Sequence, residues 1–218
     1  MKHLTKLDTV VPGLHATSPQ PLPFAPSLEV RALLLERPRG NILIYSTTEL
    51  ERDLAAIEDL GGVSRRYLNH WHEAMFATDL DAPLFVHKGE RARVEEELHV
   101  RGTFSRRHVL DEDFEVIPTP GHTAGATAFL WESAGHRMLF TGDSVYLDAG
   151  EWVAAFLEGS SDRDAYIASL ELIRELDFDV LVPWAAGAGE PPRAVTSRAE
   201  ARRRIGAIIE RLRRGEDR

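Results

Sequence analysis

At 218 residues, with 43% hydrophobic and 8% aromatic residues, the chain is long enough to bury one sizeable core, and a single domain spanning 1-218 is expected. The net charge of -9 argues against a phosphate-binding surface spread over the fold, so no nucleic-acid partner is expected, and the absence of cysteine excludes disulfides, thiolate metal ligands and a cysteine nucleophile. No apolar run approaches the roughly 20 residues that span a bilayer, and the start, Met1 to Gly13, lacks a leader's apolar segment; a cytoplasmic protein with no membrane partner is the expectation.

In chain order, Val10-Val11-Pro12-Gly13 marks an early turn. The stretch from Gln20 to Pro26 carries Pro21, Pro23 and Pro26, each of which removes a ladder donor, and reads as a loop. Val30 to Glu36 and Asn41 to Tyr45, split by Arg37-Pro38-Arg39-Gly40, read as a hairpin. Thr48-Glu49-Leu50-Glu51 has capping-box form and predicts a helix with Leu50, Leu54, Ile57 and Leu60 on one face, ended by Gly61-Gly62. Tyr67-Leu68 predicts a strand running into Asn69-His70-Trp71-His72-Glu73. Leu84 to His87 reads as another buried strand, and Glu90 to Val100 as a helix with charged residues outward.

The densest signal lies between Phe114 and Val145. Ala126 to Trp131 and Met138 to Thr141 are strand-forming runs separated by Ser133-Ala134-Gly135, a hairpin pattern. Pro120-Gly121-His122-Thr123 precedes it and Gly142-Asp143-Ser144 follows it. Paired strands bring both glycine turns to one sheet edge, which makes His122 and Asp143 partners in one site. Two histidines flanking one residue at a strand end also converge when the backbone turns between them. His70, His72 and His122 would then supply the three ligands common in catalytic zinc sites, with Asp143 as a fourth ligand or an orienting group. His87, His99, His108 and His136 lack partners at ligand spacing and read as surface or hydrogen-bonded residues.

Ser161-Asp162-Arg163-Asp164 caps a helix carrying Tyr166, Leu170 and Ile173, Val180 to Pro183 is a late buried strand, and Ser197-Arg198-Ala199-Glu200 opens a final helix. From Arg193 to Arg218 there are nine arginines against four acids, but Ile205, Ile208, Ile209 and Leu212 recur at helical spacing, so the arginines form the wet face of a docked helix. Two successive groups of strands with intervening helices predict an α/β protein, an αββα sandwich of two mixed β-sheets flanked by helices.

The segments NHWHEAM, PTPGHTAGATAFLW, LFTGDS and DVLVPWAAGAG, in this order, resemble the metallo-β-lactamase superfamily, whose pattern is HxHxDH, PGHT, GD and a late Pro-Gly-His turn. The resemblance covers nearly the whole chain and implies the same sandwich. Four departures accompany it: Ala74 and Met75 replace the Asp and His that finish the first motif, Pro183-Trp184-Ala185 replaces the late His, and Tyr45-Ser46 stands where an Asp usually follows the second strand. The three groups missing from the first motif and the late turn are those the family uses for its second metal. The resemblance therefore implies one Zn, or Fe or Mn in its place, held by His70, His72, His122 and Asp143. It also puts Leu22 and Phe24 beside the mouth of the site.

Three functions fit these residues. The first is hydrolysis of an ester, thioester, lactone or amide by metal-bound water, with Glu73 as a substitute base by sequence position and Tyr146 as a hydrogen-bond donor to substrate. A non-catalytic relative that binds no metal and takes a small molecule or partner is the second. The third is an iron oxidoreductase resembling persulfide dioxygenases, using His70, His122 and Asp143. The helical tail, or an exposed Trp184, would serve a homodimer or no partner at all.

Overall fold

The computed structural model describes residues 8–78 and 80–216. The first residues of the segment read above for a leader, and the last arginine of the tail, lie outside it.

Period-two burial on both faces explains the strands. Leu33 and Leu35 of the Leu33–Leu35 strand, with Ile42 and Ile44 of Ile42–Ile44, turn to the central core, while Leu34 and Leu43 turn outward to pack on helix α1 (Leu50–Asp59). The same alternation puts Phe129, Trp131, Met138, Phe140, Val180 and Val182 in the centre. Leu130, Leu139 and Leu181 lie on the opposite face, under α3 (Arg163–Glu175) and α4 (Arg198–Arg213). Strands buried on both faces read as nearly continuous apolar runs, as these do.

Two sheets result. One orders Asp8–Val11, Leu14–Ala16, Leu33–Leu35, Ile42–Ile44, Arg65–Tyr67, Leu84–His87 and Val100–Phe104; the other orders His108–Leu110, Phe114–Pro118, Thr127–Ser133, His136–Gly142, Val180–Pro183 and Ala194–Val195. Each mixes parallel and antiparallel pairs. Their shared core and outer helices make the αββα sandwich.

Three local expectations are corrected. The proline-rich stretch is not a plain loop: Gln20–Leu22 and Ala25–Val30 form a hairpin in a small sheet with Ala185–Gly187. Its first strand tolerates Pro21 because it sits at the sheet edge. Thr48 does not cap α1; the helix starts after Glu49 with no side-chain cap, and the Thr48 N–H is taken by Gln20 Oε1 at 2.7 Å. The helix expected from Glu90 to Val100 is one turn, α2 (Arg91–Val94), because Val100 to Phe104 pairs in parallel with Leu84–His87. The capping residues Asp162 and Ser197 do accept the predicted N–H bonds, from Ala165 and Glu200. The apolar face of α4 is buried as its spacing requires.

Candidate metal centre

Each cluster residue sits where a strand ends in a constrained turn. His70 follows the Arg65–Tyr67 strand, and the chain then enters a 3-10 helix over Trp71–Phe76, which swings His72 to the same side. His122 lies in the turn after Phe114–Pro118, where Gly121 has φ 142° and a Cβ would stand 2.3 Å from the Tyr166 Cα. Asp143 follows Gly142, at φ 56°, where a Cβ would overlap the Asn69 side chain. Side chains at either glycine would displace a strand end from the site.

The four side chains converge. His72 Nδ1 and His122 Nε2 are 3.0 Å apart, and His70 Nε2 and His122 Nε2 lie 3.3 and 3.6 Å from Asp143 Oδ2. One donor atom from each lies within 4.8 Å of all the others. Zinc bonds of about 2.0–2.2 Å arranged tetrahedrally have donors about 3.3–3.6 Å apart, which the two contacts to Asp143 Oδ2 match and the His72–His122 contact undershoots. His70 Nε2 and Asp143 Oδ1 are buried without a hydrogen-bond partner. Such orphaned atoms carry a desolvation cost that a cation would offset.

The surroundings fix which nitrogen faces inward. His122 Nδ1 lies 2.6 Å from the Ala155 carbonyl, which selects Nδ1–H and leaves the Nε2 lone pair for the centre. His70 Nδ1 faces Asn69 Oδ1 at 2.9 Å and Glu73 Oε1 at 3.2 Å, leaving its Nε2 inward. Glu73 is therefore not aimed at the pocket: its Oε1 also accepts the Asn69 and His70 N–H groups at 3.0 and 3.3 Å, fully buried. Sequence position made it the nearest candidate base; the 3-10 turn puts it behind His70. Glu90, which no sequence signal singled out, clamps the two motifs together by accepting the Trp71 N–H at 2.8 Å and the Gly125 N–H at 2.6 Å.

The charge distribution follows from burial and proximity. Burial opposes charge on His70, but Asp143 and then Glu73 outweigh it and push its pKa up to about 10. Burial, aided by the charge on His70, pushes His72 down to about 3 and His122 down to about 4, so both are neutral, the ligating form. Burial pushes Glu73 up to about 7. Burial would also raise Asp143, but His70 foremost holds its carboxyl below the usual range.

A domain-family model described as the metallo-beta-lactamase superfamily matches residues 52–185. The chain belongs to that superfamily. Its fold is similar to a metallo-beta-lactamase from Pontibacter korlensis, with TM-score 0.71 and 16% identity over 95% of this chain and 98% of that one. It is also similar to a subclass B3 metallo-beta-lactamase of Bradyrhizobium japonicum, with TM-score 0.66 and 14% identity over 99% and 96%. A metallo-beta-lactamase family protein from Thermus thermophilus gives 0.65 and 17% over 94% and 81%. No curated protein matches the chain.

The positions that depart from the superfamily pattern are occupied by other groups. Ala74 is buried among Leu68, Leu84 and Val94. Trp184 is buried rather than exposed, its Nε1–H donating to the Ser46 carbonyl at 3.0 Å and its ring meeting His70 edge-on at 5.6 Å. The Tyr45 hydroxyl accepts the Gly142 N–H and donates to the Val182 carbonyl, each at 2.9 Å. Met75 and Tyr146 line the pocket above the cluster with Leu22 and Phe24. His87, His99, His108 and His136 stand outside the cluster, His136 facing Asp179 at 2.9 Å.

Proposed function

We propose that this superfamily member is a metal-dependent hydrolase of an ester, thioester, lactone or amide, with one cation held by His70, His72, His122 and Asp143. The observation that carries this is the pair of orphaned buried atoms, His70 Nε2 and Asp143 Oδ1, within a converging donor set in which the outward nitrogens of His70 and His122 are already paired. Three imidazoles, His70 once it gives up its proton, and a carboxylate suit zinc, and also accept iron(II) or manganese(II). When bound, such a cation acidifies water and polarises a carbonyl oxygen.

The chain's own residues prepare the site. Ala155, Asn69 and Glu73 hold His122 and His70 in the tautomers that face inward, and Glu90 ties the His70–His72 turn to the loop after His122. Ala74, Met75 and Trp184 offer no hard or imidazole donor where relatives place second-metal ligands, which supports a single equivalent. The pocket opening onto His72, His122 and Asp143 admits substrate to that side.

Elemental analysis of protein purified without a metal-affinity tag, beside His122→Ala, tests this. We expect about one equivalent in the parent and none in the variant, with turnover of a chromogenic ester lost by more than about 100-fold, since disturbing a ligand's support alone costs 10–100-fold. No metal in either protein would overturn the proposal in favour of a non-catalytic binding role. Oxygen uptake with a persulfide in iron-loaded protein, without ester turnover, would replace hydrolysis by oxidation at His70, His122 and Asp143.

A further inference from the structure

The cavity above the cluster has a volume of about 430 Å³ and is walled by two segments that supply no metal ligand. The Gln20–Val30 hairpin contributes Leu22, Phe24 and Leu28; the loop after Glu151–Val153 contributes Phe156 and Leu157. Among the described residues five large apolar side chains are exposed, and three of them, Phe24, Met75 and Leu157, line this one cavity. Exposed apolar groups gathered around a concave site mark a binding surface.

The wall carries no lysine or arginine. Arg163 stacks 4.0 Å over the Phe156 ring and donates to the Leu212 carbonyl at 3.1 Å, which ties it to the α4 side. With no basic side chain on the wall away from the metal ligands to pair an anionic substituent, and a net charge of -9 repelling one, that part of the cavity discriminates against anionic groups.

We infer that the cavity holds the uncharged, apolar acyl chain of the substrate, so that the bond presented to the His72–His122–Asp143 face belongs to a neutral acyl ester, thioester or amide and not to a carboxylate-bearing ring. This rests on the hydrolase reading. For an ester, the acyl C–O bond breaks, the hydroxyl of water passes to the acyl carbon, and its proton passes to the departing alkoxide. Chain length is then read by Leu22, Leu28 and Phe156 along the wall, with Phe24 and Leu157 at the rim.

Two measurements on the metal-containing protein separate this inference from the reading beneath it. The first is kcat/KM for p-nitrophenyl esters from acetate to decanoate; the second is the affinity of the matching N-methyl amides, followed by tryptophan fluorescence. We expect each added methylene to raise both roughly threefold to fourfold until the cavity is full. Phe24→Asp and Leu157→Lys, both at exposed positions that leave the core intact, should flatten the slope for the longer chains. Turnover independent of chain length, with no amide binding, overturns the acyl pocket while leaving a hydrolase. Amide binding that climbs with chain length, without ester turnover, supports the pocket and overturns hydrolysis. Equal or tighter binding of amides bearing a terminal carboxylate overturns the inference.

Discussion

Two neighbourhoods meet at the His70 ring. On one, His72, His122 and Asp143 bring polar atoms together at 3.0–3.6 Å with some left unsatisfied. On the other, the Trp184 indole packs edge-on, with its own N–H paired to Ser46 and Phe76 at 5.6 Å behind it. The first carries unmet hydrogen-bonding capacity; the second has every polar atom of its indole and of nearby Tyr45 paired. A site that had drifted into mere packing would satisfy both alike. Their contrast argues that the histidine side is held open for a ligand while the departures elsewhere are repaired as protein interior.

The largest effect in that contrast is expected at Glu73. Glu73→Gln keeps the shape but removes the charge that orients His70 Nδ1–H and stabilises its position, and metal affinity should fall roughly 10–100-fold. Competition with a fluorescent chelator measures it; unchanged affinity would mean that Asn69 alone orients the ring. Tyr45→Phe acts on the other neighbourhood. It leaves the buried Gly142 N–H and Val182 carbonyl without their hydroxyl, at about 1–3 kcal/mol, and Tm should drop by a few degrees. Metal stoichiometry should not change.

The sandwich was legible because its strands alternate between two apolar environments, so Leu33, Leu34 and Leu35 read as one buried run with helices outside. The convergence of His70, His72, His122 and Asp143 was legible because glycine turns at paired strand ends leave little freedom of placement. The supporting shell was not. Glu73 could be named a base candidate by sequence position alone; that it lies behind His70 as its hydrogen-bond partner is set by a 3-10 turn weakly encoded in sequence. Tyr45 sits at φ 71°, a left-handed conformation imposed by long-range hydrogen bonds to Gly142 and Val182 that no local pattern announces. Trp184 seemed available for a partner because burial against Phe76 and His70 comes from segments more than a hundred residues away.

Protonation offers a subtler probe of the polar side. The folded pKa of His70, about 10, lies above its unfolded value near 6.5. In metal-free protein its charge therefore stabilises fully below pH 6.5, and that contribution is lost as pH rises towards 10. A cation ligated by Nε2 takes the place of that proton. At pH 8.5, where His72 and His122 are already neutral, binding should release about one proton per cation, read from the buffer dependence of the calorimetric heat. Because a bound water can also lose a proton at this pH, His70→Ala is the control: a release unchanged in that variant would mean that His70 is not a ligand.

The smallest expected change tests the packed side most directly. Met75 occupies the last position of the first motif and is 52% exposed at the pocket wall, so Met75→His restores one ligand type that the superfamily pattern expects with little cost to the core. A lone imidazole there finds neither of the other two groups the pattern pairs with it, because Ala74 is enclosed by Leu68, Leu84 and Val94, and the late turn presents the Trp184 indole in place of a histidine. Metal content should stay at about one equivalent and stability should move by no more than about 0.5 kcal/mol. A second equivalent would show that the departures had merely thinned a dinuclear centre, and that Trp184 yields where its hydrogen bond to Ser46 and its packing against Phe76 argue that it does not.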